Sequence, residues 1–253
     1  MEMLVGRQVV REALRAGRRR IVEIWLARGI QETEAVREIE ALCANAGIPL
    51  RQVERHELDK LEGELVHQGV AARVSPYPYV QVADLLARAA IGGSDVAQRA
   101  EAPFLLALDS VQDPQNLGAI LRTAEAVGVH GVILPERRAA SVTPAVGRAS
   151  AGAAEHLLIA QVTNLSRTLE RLKKEGLWVV GLEQHPRAQD YRSVDFRVPL
   201  VLVLGGEGTG MRRLVAETCD VLVYLPMRGQ VGSLNVSVAA GIILYHAWAM
   251  RAL

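Results

Sequence analysis

Six unbroken apolar runs constrain the fold of this chain more than any other feature. FLLALD (104–109), GVILP (131–135), HLLIA (156–160), LWVVGL (177–182), PLVLVLG (199–205) and VLVYLP (221–226) alternate with stretches of helical spacing near 117–127, 143–150, 164–175, 211–218 and 234–251. A strand without a polar residue at alternate positions needs cover on both faces, which a parallel sheet flanked by helices provides. The pattern therefore predicts an α/β architecture for residues 103–253.

Residues 1–75 predict a second, smaller α/β unit. Val5, Val9, Val10 and Leu14 have helical spacing, and Gly17 is a plausible stop. A strand is expected over 21–27. A helix follows over 31–46, with Ala35, Ile39 and Leu42 on one face and Gly47 as its cap. Strands near 48–53 and 69–74 flank a helix near 55–61. SPYPYVQ and IGGSD mark 76–102 as a linker with one short helix near 82–90.

Composition narrows the function classes. Half of the 253 residues are hydrophobic, which excludes a mainly disordered chain. Lys and Arg number 29 against 28 acids, so an anionic partner must be met by local patches. The Arg18-Arg19-Arg20 run is a candidate RNA contact through phosphates, with a solvated turn the equal alternative. Aromatics are only 4%, which argues against reading bases mainly by stacking. Cys43 and Cys219 have no ligand spacing, so neither a disulfide scaffold nor a zinc site is expected, and a reducing compartment fits. The N-terminal residues carry charges throughout and no secretory core. Residues 229–250 lack Asp, Glu, Lys and Arg but hold Gln230, Ser233, Asn235, Ser237 and His246. A buried helix of a soluble protein is the better reading than a membrane span.

Chemistry is expected beyond the carboxyl ends of the strands. After FLLALD, Asn116 occupies the expected N-cap. Arg122 shares a helix face with Gly118 and offers a guanidinium suited to phosphate. After PLVLVL comes Gly205-Gly206-Glu207-Gly208-Thr209-Gly210, which has neither common phosphate-loop spacing. Glu207 would repel a pyrophosphate but can accept from hydroxyls or oppose a cation. After VLVYLP, Ser233 and Asn235 begin a helix that is apolar nearly all round, which predicts burial. Ala239, Ala240 and Gly241 would let another backbone approach it closely. Each residue alone reads as a cap or a solvated side chain. Together they offer a guanidinium, a carboxylate, a hydroxyl and carboxamides, an inventory for transfer between two bound substrates by positioning. The six histidines form no ligand or catalytic spacing.

N-x-G-x-x-x-R at 116–122, LGGEGTGM at 204–211 and LPMRGQVGSLNVSVAAG at 225–241 resemble, in order and spacing, the three motifs of the SpoU (TrmH) family of RNA ribose 2′-O-methyltransferases. MLVGRQVVREAL and VHQGVAARV resemble the ribosomal-protein-L30-like RNA-binding domain of the family's bacterial 23S rRNA guanosine methyltransferases. The resemblance implies a SPOUT fold: a mostly parallel α/β sheet ending in a trefoil knot, which no sequence pattern would suggest. The expected division is an L30-like domain (1–75), a linker (76–102) and the methyltransferase domain (103–253). The resemblance also implies S-adenosyl-L-methionine as methyl donor, contacted by Gly205, Leu225 and Leu234, with no metal. Asn116, Arg122, Glu207, Ser233 and Asn235 would form the catalytic or substrate-positioning set. The implied protein is a cytoplasmic homodimer whose last helix lies at the interface, with motif one of one copy completing the other's site. Its substrate would be a guanosine of 23S rRNA, free or within an assembling large subunit.

Guanidinium stays protonated in proteins, so Arg122 suits phosphate binding and alkoxide stabilisation better than a base role. The chain departs from the family at Gly206 and Thr209, where members often carry Ala and Glu. These are read as small changes in a loop that binds through its backbone. Alternatives are tRNA ribose methylation on the same fold, a non-catalytic rRNA-binding or resistance-type protein, and a dinucleotide-binding enzyme. The L30-like unit, the intact site residues and the loop spacing weigh against these in turn.

Overall fold

The computed structural model describes residues 1–61, 67–91, 102–208 and 210–252. They form two compact units, Met1–Pro78 with Val142–His156, and Tyr79–Ser141 with Leu157–Leu253.

The first unit is a four-stranded sheet in the order β1-β4-β2-β3, made of β1 (Glu2–Val5), β2 (Ile21–Ala27), β3 (Leu50–Val53) and β4 (Val70–Val74). β4 is antiparallel to both neighbours, and β2 is parallel to β3. α1 (Arg7–Ala16) buries Val9, Val10 and Ala13 and stops at Gly17, whose φ of 61° is left-handed. α2 (Glu34–Ala46) is capped by the Thr33 side chain, buries Val36, Ile39 and Cys43, and ends at Gly47. The helices cover one sheet face over a core that includes Leu4, Ile24, Leu26, Val70 and Ala72. α3 (Arg55–Asp59) is held by a reciprocal Glu54/Glu57 capping box.

Some sequence expectations change here. Val5, expected at the start of the first helix, ends β1 instead, because Gly6 (φ 116°) breaks the chain and its N–H goes to the Val70 carbonyl. Val142–His156, within the span expected for the C-terminal domain, is compact with Met1–Pro78. Its α6 (Pro144–Ala149) packs on β1. Of the run expected as a strand at 156–160, His156 bonds Glu12 (2.9 Å) and only the last two residues are in β7 (Ile159–Val162).

The Arg18–Arg20 run divides. Arg19 is wholly buried and pairs with Glu155 (2.8 Å) and Glu2 (2.6 Å). Arg18 donates to the Tyr77 hydroxyl (2.9 Å), and both guanidinium groups lie against the Tyr77 ring. Arg20 alone is exposed. Burial raises the Glu155 carboxyl above the usual range, against the pull of Arg19. Arg19 is therefore committed to the interior of the unit, while Arg18 is half-buried and held at Tyr77.

The second unit is built on a seven-stranded sheet in the order β7-β6-β5-β10-β8-β11-β9. Its strands are β5 (Phe104–Asp109), β6 (Gly131–Pro135), β7, β8 (Trp178–Leu182), β9 (Gln189–Asp190), β10 (Leu200–Gly205) and β11 (Val221–Tyr224). Every pairing is parallel. β5 and β10 are buried along almost their whole length, as the continuous apolar runs require. Its helices are α4 (Val82–Ile91), α5 (Pro114–Ala126), α7 (Leu165–Lys174), α8 (Arg213–Thr218) and α9 (Val236–Arg251). The 76–102 linker reading falls partly outside the described residues, and α4 lies within it. β9 was not legible in the sequence, being two residues long.

α9 has 16 residues, and among the described residues no helix is long and apolar enough to cross a membrane. It buries Val236, Ala240, Ile243, Leu244 and Ala247 and packs against α5. Its other face departs from the expected burial: Val238, Ile242, Tyr245 and Trp248 are 40–51% exposed. A Cβ at Gly241 would meet nothing within 4 Å, so no backbone of the same chain approaches it.

Arg19→Ala removes the partner of a carboxylate with 1% side-chain exposure. Urea unfolding followed by far-UV circular dichroism should show a loss of ~3–5 kcal/mol, whereas Arg19→Met combined with Glu155→Leu should recover most of it. A loss under ~1 kcal/mol for the single variant would show that the pair contributes little.

Candidate functional site

The strand order turns back at the contact between β5 and β10, where Gly205 is in register with Asp109. In open α/β sheets such a switch point opens a crevice beyond the carboxyl strand ends. A cleft of about 510 Å³ lies beside it, bounded by the ends of β8, β10 and β11 and by the start of α9.

The glycine loop after β10 is shaped by close approach. A Cβ at Gly205 would collide with the backbone of Gly210 and Met211, and one at Gly206 with the Ser110 carbonyl. Ser110 itself has a φ of 63°. An alanine at 206 would need Ser110 to move. Thr209 lies outside the described residues. Gly206 and Gly210 form a bridge that closes the loop, and Gly208 and Gly210 have positive φ.

Asp109 anchors the loop's far end. Its buried carboxylate accepts from the Arg212 N–H (2.7 Å) and Nε (2.7 Å), with Nη2 at 2.6 Å. Glu183, just beyond β8, accepts from the Met211 N–H (3.1 Å). Neither acid was singled out from the sequence. The only signal for each is a lone carboxylate closing an apolar strand.

Asn235 joins the three loops. Its Oδ1 caps α9 by accepting from Ser237 N (2.9 Å) and Val238 N (3.4 Å). Its Nδ2 donates to Asn116 Oδ1 (3.0 Å) and to Glu207. Asn116 is not the N-cap expected of it. Asp113 caps α5, with Pro114 as the first helical residue, and this places Asn116 one turn inside, buried and aimed at Asn235. Ser233 does not cap α9 either. It is exposed on the cleft wall, beside Leu234 and opposite Gly205 and Leu225.

Arg122 is the one member of the set that the fold leaves apart. It is exposed on α5, outside the cleft lining, with no partner among the described residues. Among the described residues the lining includes two carboxylates, Glu183 and Glu207, and no Lys, Arg or His. A cleft of this charge opposes a pyrophosphate and favours a cationic or hydroxyl-rich ligand. Burial pushes the Cys43 thiol up to about 11 and the Cys219 thiol up to about 12, so neither is an activated nucleophile. Among the described residues no group of three or more His, Cys, Asp or Glu could hold a metal.

The SpoU rRNA Methylase family model matches residues 103–245, and a model described as RNA 2′-O ribose methyltransferase substrate binding matches residues 3–80. The 23S rRNA (guanosine-2′-O-)-methyltransferase RlmB of Pseudomonas putida is 43% identical over 256 residues, covering 99% of this chain and 97% of that protein. Among solved structures, the AdoMet-bound rRNA methyltransferase of Sinorhizobium meliloti superposes with a TM-score of 0.78 at 27% identity, covering 97% of this chain and 86% of that one. The TrmH/SpoU tRNA modifying enzyme of A. aeolicus superposes with a TM-score of 0.56 at 30% identity, but over 67% of this chain and 83% of that one. With a family model spanning more than half of its length and a relative of this identity along nearly all of it, the chain belongs to the SpoU rRNA methylase family.

Proposed function

We propose that the chain is an RNA ribose 2′-O-methyltransferase that uses S-adenosylmethionine and acts on a guanosine of 23S rRNA. The observation that carries this reading is the cleft: glycine backbone and leucine side chains on its walls, carboxylates as the only charges among the described lining residues, and the Asn116–Asn235–Glu207 network at one side. These residues fit an adenosyl sulfonium. Leu182, Leu225 and Leu234 suit a purine, the glycines allow close backbone approach, and the acids favour positive charge. When bound, S-adenosylmethionine supplies an electrophilic methyl group. Asn116, Glu207, Ser233 and Asn235 would hold the acceptor ribose so that its 2′-oxygen faces that methyl group. As a guanidinium, Arg122 would bind the target's phosphate and stabilise the developing alkoxide, with that phosphate or a nearby group taking the proton.

An rRNA substrate is supported by the substrate-binding match over residues 3–80 and by the full-length similarity to RlmB. The tRNA-modifying relative covers only two thirds of the chain. An rRNA-modifying enzyme works where ribosomes assemble, which is the cytoplasm. The family likeness also supports a C-terminal trefoil knot.

A homodimer would resolve two features at once. The exposed apolar face of α9 would be covered by its symmetry mate, an isologous contact. Because α5 packs against α9, the same pairing would carry Arg122 toward the partner's cleft.

Arg122→Ala should lower transfer by at least ~100-fold while calorimetric titration still detects S-adenosylmethionine binding. Loss of donor binding would remove the assigned role. Mixing Arg122→Ala with Asn235→Ala protein under subunit exchange should restore about a quarter of wild-type activity, because each mixed dimer keeps one intact site. No recovery would place both residues in the same subunit's site. Tyr245→Lys with Trp248→Glu should sediment as a monomer, and a variant that stays dimeric would move the interface elsewhere.

A further inference from the structure

Glu183 holds no part of the acceptor in the reaction assigned above, yet its carboxylate is fixed in place at the cleft. Its backbone N–H continues the β8–β11 ladder through the Val223 carbonyl (2.9 Å). One carboxylate oxygen, Oε2, accepts from the Met211 N–H at 3.1 Å. The other, Oε1, lies against Gly210 where any Cβ would overlap it. Gly210 (φ +63°) therefore leaves the carboxylate its place, and the carboxylate in turn fixes the exit of the glycine loop. Oε1 faces a lining without Lys, Arg or His and has no hydrogen-bond donor among the described residues.

The sheet order fixes what this oxygen can meet. Asn116 follows β5, on one side of β10, whereas Glu183 follows β8, on the other side. Two strand spacings, about 10 Å, separate those strands. The Asn116–Asn235–Glu207 network marks the side where the acceptor sugar would arrive. A ligand group at Glu183 is then remote from the transferred methyl. A rigid carboxylate with an open oxygen beside glycine backbone suits a vicinal diol, as when an acidic residue receives a ribose hydroxyl at a switch point.

We infer that Glu183 is a specificity residue for the methyl donor, with Oε1 accepting a hydrogen bond from the ribose hydroxyls of its adenosine half. The inference rests on the methyltransferase reading. Glu183 would discriminate ribo- from deoxyadenosyl ligands and set donor affinity without taking part in methyl transfer.

Isothermal titration tests this with S-adenosylmethionine, with 5′-methylthioadenosine, and with the 2′-deoxy and 3′-deoxy forms of the latter. The wild-type protein should bind at least one deoxy form about ten- to hundredfold more weakly than 5′-methylthioadenosine, the effect of one hydrogen bond to a charged group. In Glu183→Gln and Glu183→Ala that preference should collapse to near unity, with S-adenosylmethionine weakened by a similar factor. Equal weakening of ribo and deoxy ligands would reduce Glu183 to a support of the glycine loop and overturn the proposal. Weakening of S-adenosylmethionine alone would place the carboxylate at the methionine ammonium and overturn it as well. If the wild-type protein bound none of these ligands, the methyltransferase reading would fall, and this inference with it.

Discussion

Asn235 donates from its amide nitrogen to Asn116 and Glu207, and accepts at its amide oxygen from the first turn of α9. A carboxamide is the one uncharged side-chain group that can supply two donors and an acceptor from a single rigid plane. The cap of the last helix and the junction of three loops are therefore one interaction. An aspartate would cap the helix equally well, but it would bring a second carboxylate against Glu207 and leave Asn116 without its donor. A serine would cap it but could not span the three groups. Helix capping alone would accept any of these residues, whereas the junction accepts only asparagine.

That junction is stable because the elements carrying its members are fixed independently. β5 and β10 lie side by side in register, so Asp109 and Gly205 close their strands at the same level. The buried Asp109 would be costly if unpaired, and Arg212, just after the glycine loop, satisfies both of its oxygens with its backbone N–H and its guanidinium. Gly206 then passes so near Ser110 that no side chain fits between them. The loop is held at its start by steric exclusion, at its end by a buried ion pair, and from the β8 side by Glu183. Its backbone N–H groups are in place before any ligand arrives, which is the condition for binding through backbone without a large ordering cost.

Much of this was legible in the sequence, and the residues that were not share physical reasons. β5 and β6 match their apolar runs to the residue, and β10 and α9 within one or two, because burial on both faces leaves little choice of residue. The helix stops at Gly17 and Gly47 were legible because only glycine takes left-handed φ cheaply. Asn116 was misplaced by one turn. Asp113 and Asn116 are both good caps, and Pro114 decides between them by needing the first helical position. Arg19 misled because an arginine in such a run looks the same in sequence whether it faces water or a buried carboxylate 136 residues away. Glu183 and Asp109 gave no pattern at all. Their importance lies in what meets them across the sheet, and local spacing does not encode that.

The distribution of charge fits the proposed division of the site between two chains. A pocket for a sulfonium gains from carboxylates and loses from any nearby guanidinium. A pocket for an RNA phosphodiester needs the reverse. Placed together in one fold, Glu207 and Arg122 would neutralise each other and serve neither ligand well. Here the acids line the cleft while Arg122 stands apart on α5, without an acidic partner among the described residues. On the proposed pairing of two chains, the cation reaches the cleft from outside, beside the acceptor and not the donor. An isologous dimer then becomes a means of holding opposite charges a fixed distance apart until the RNA phosphate arrives between them.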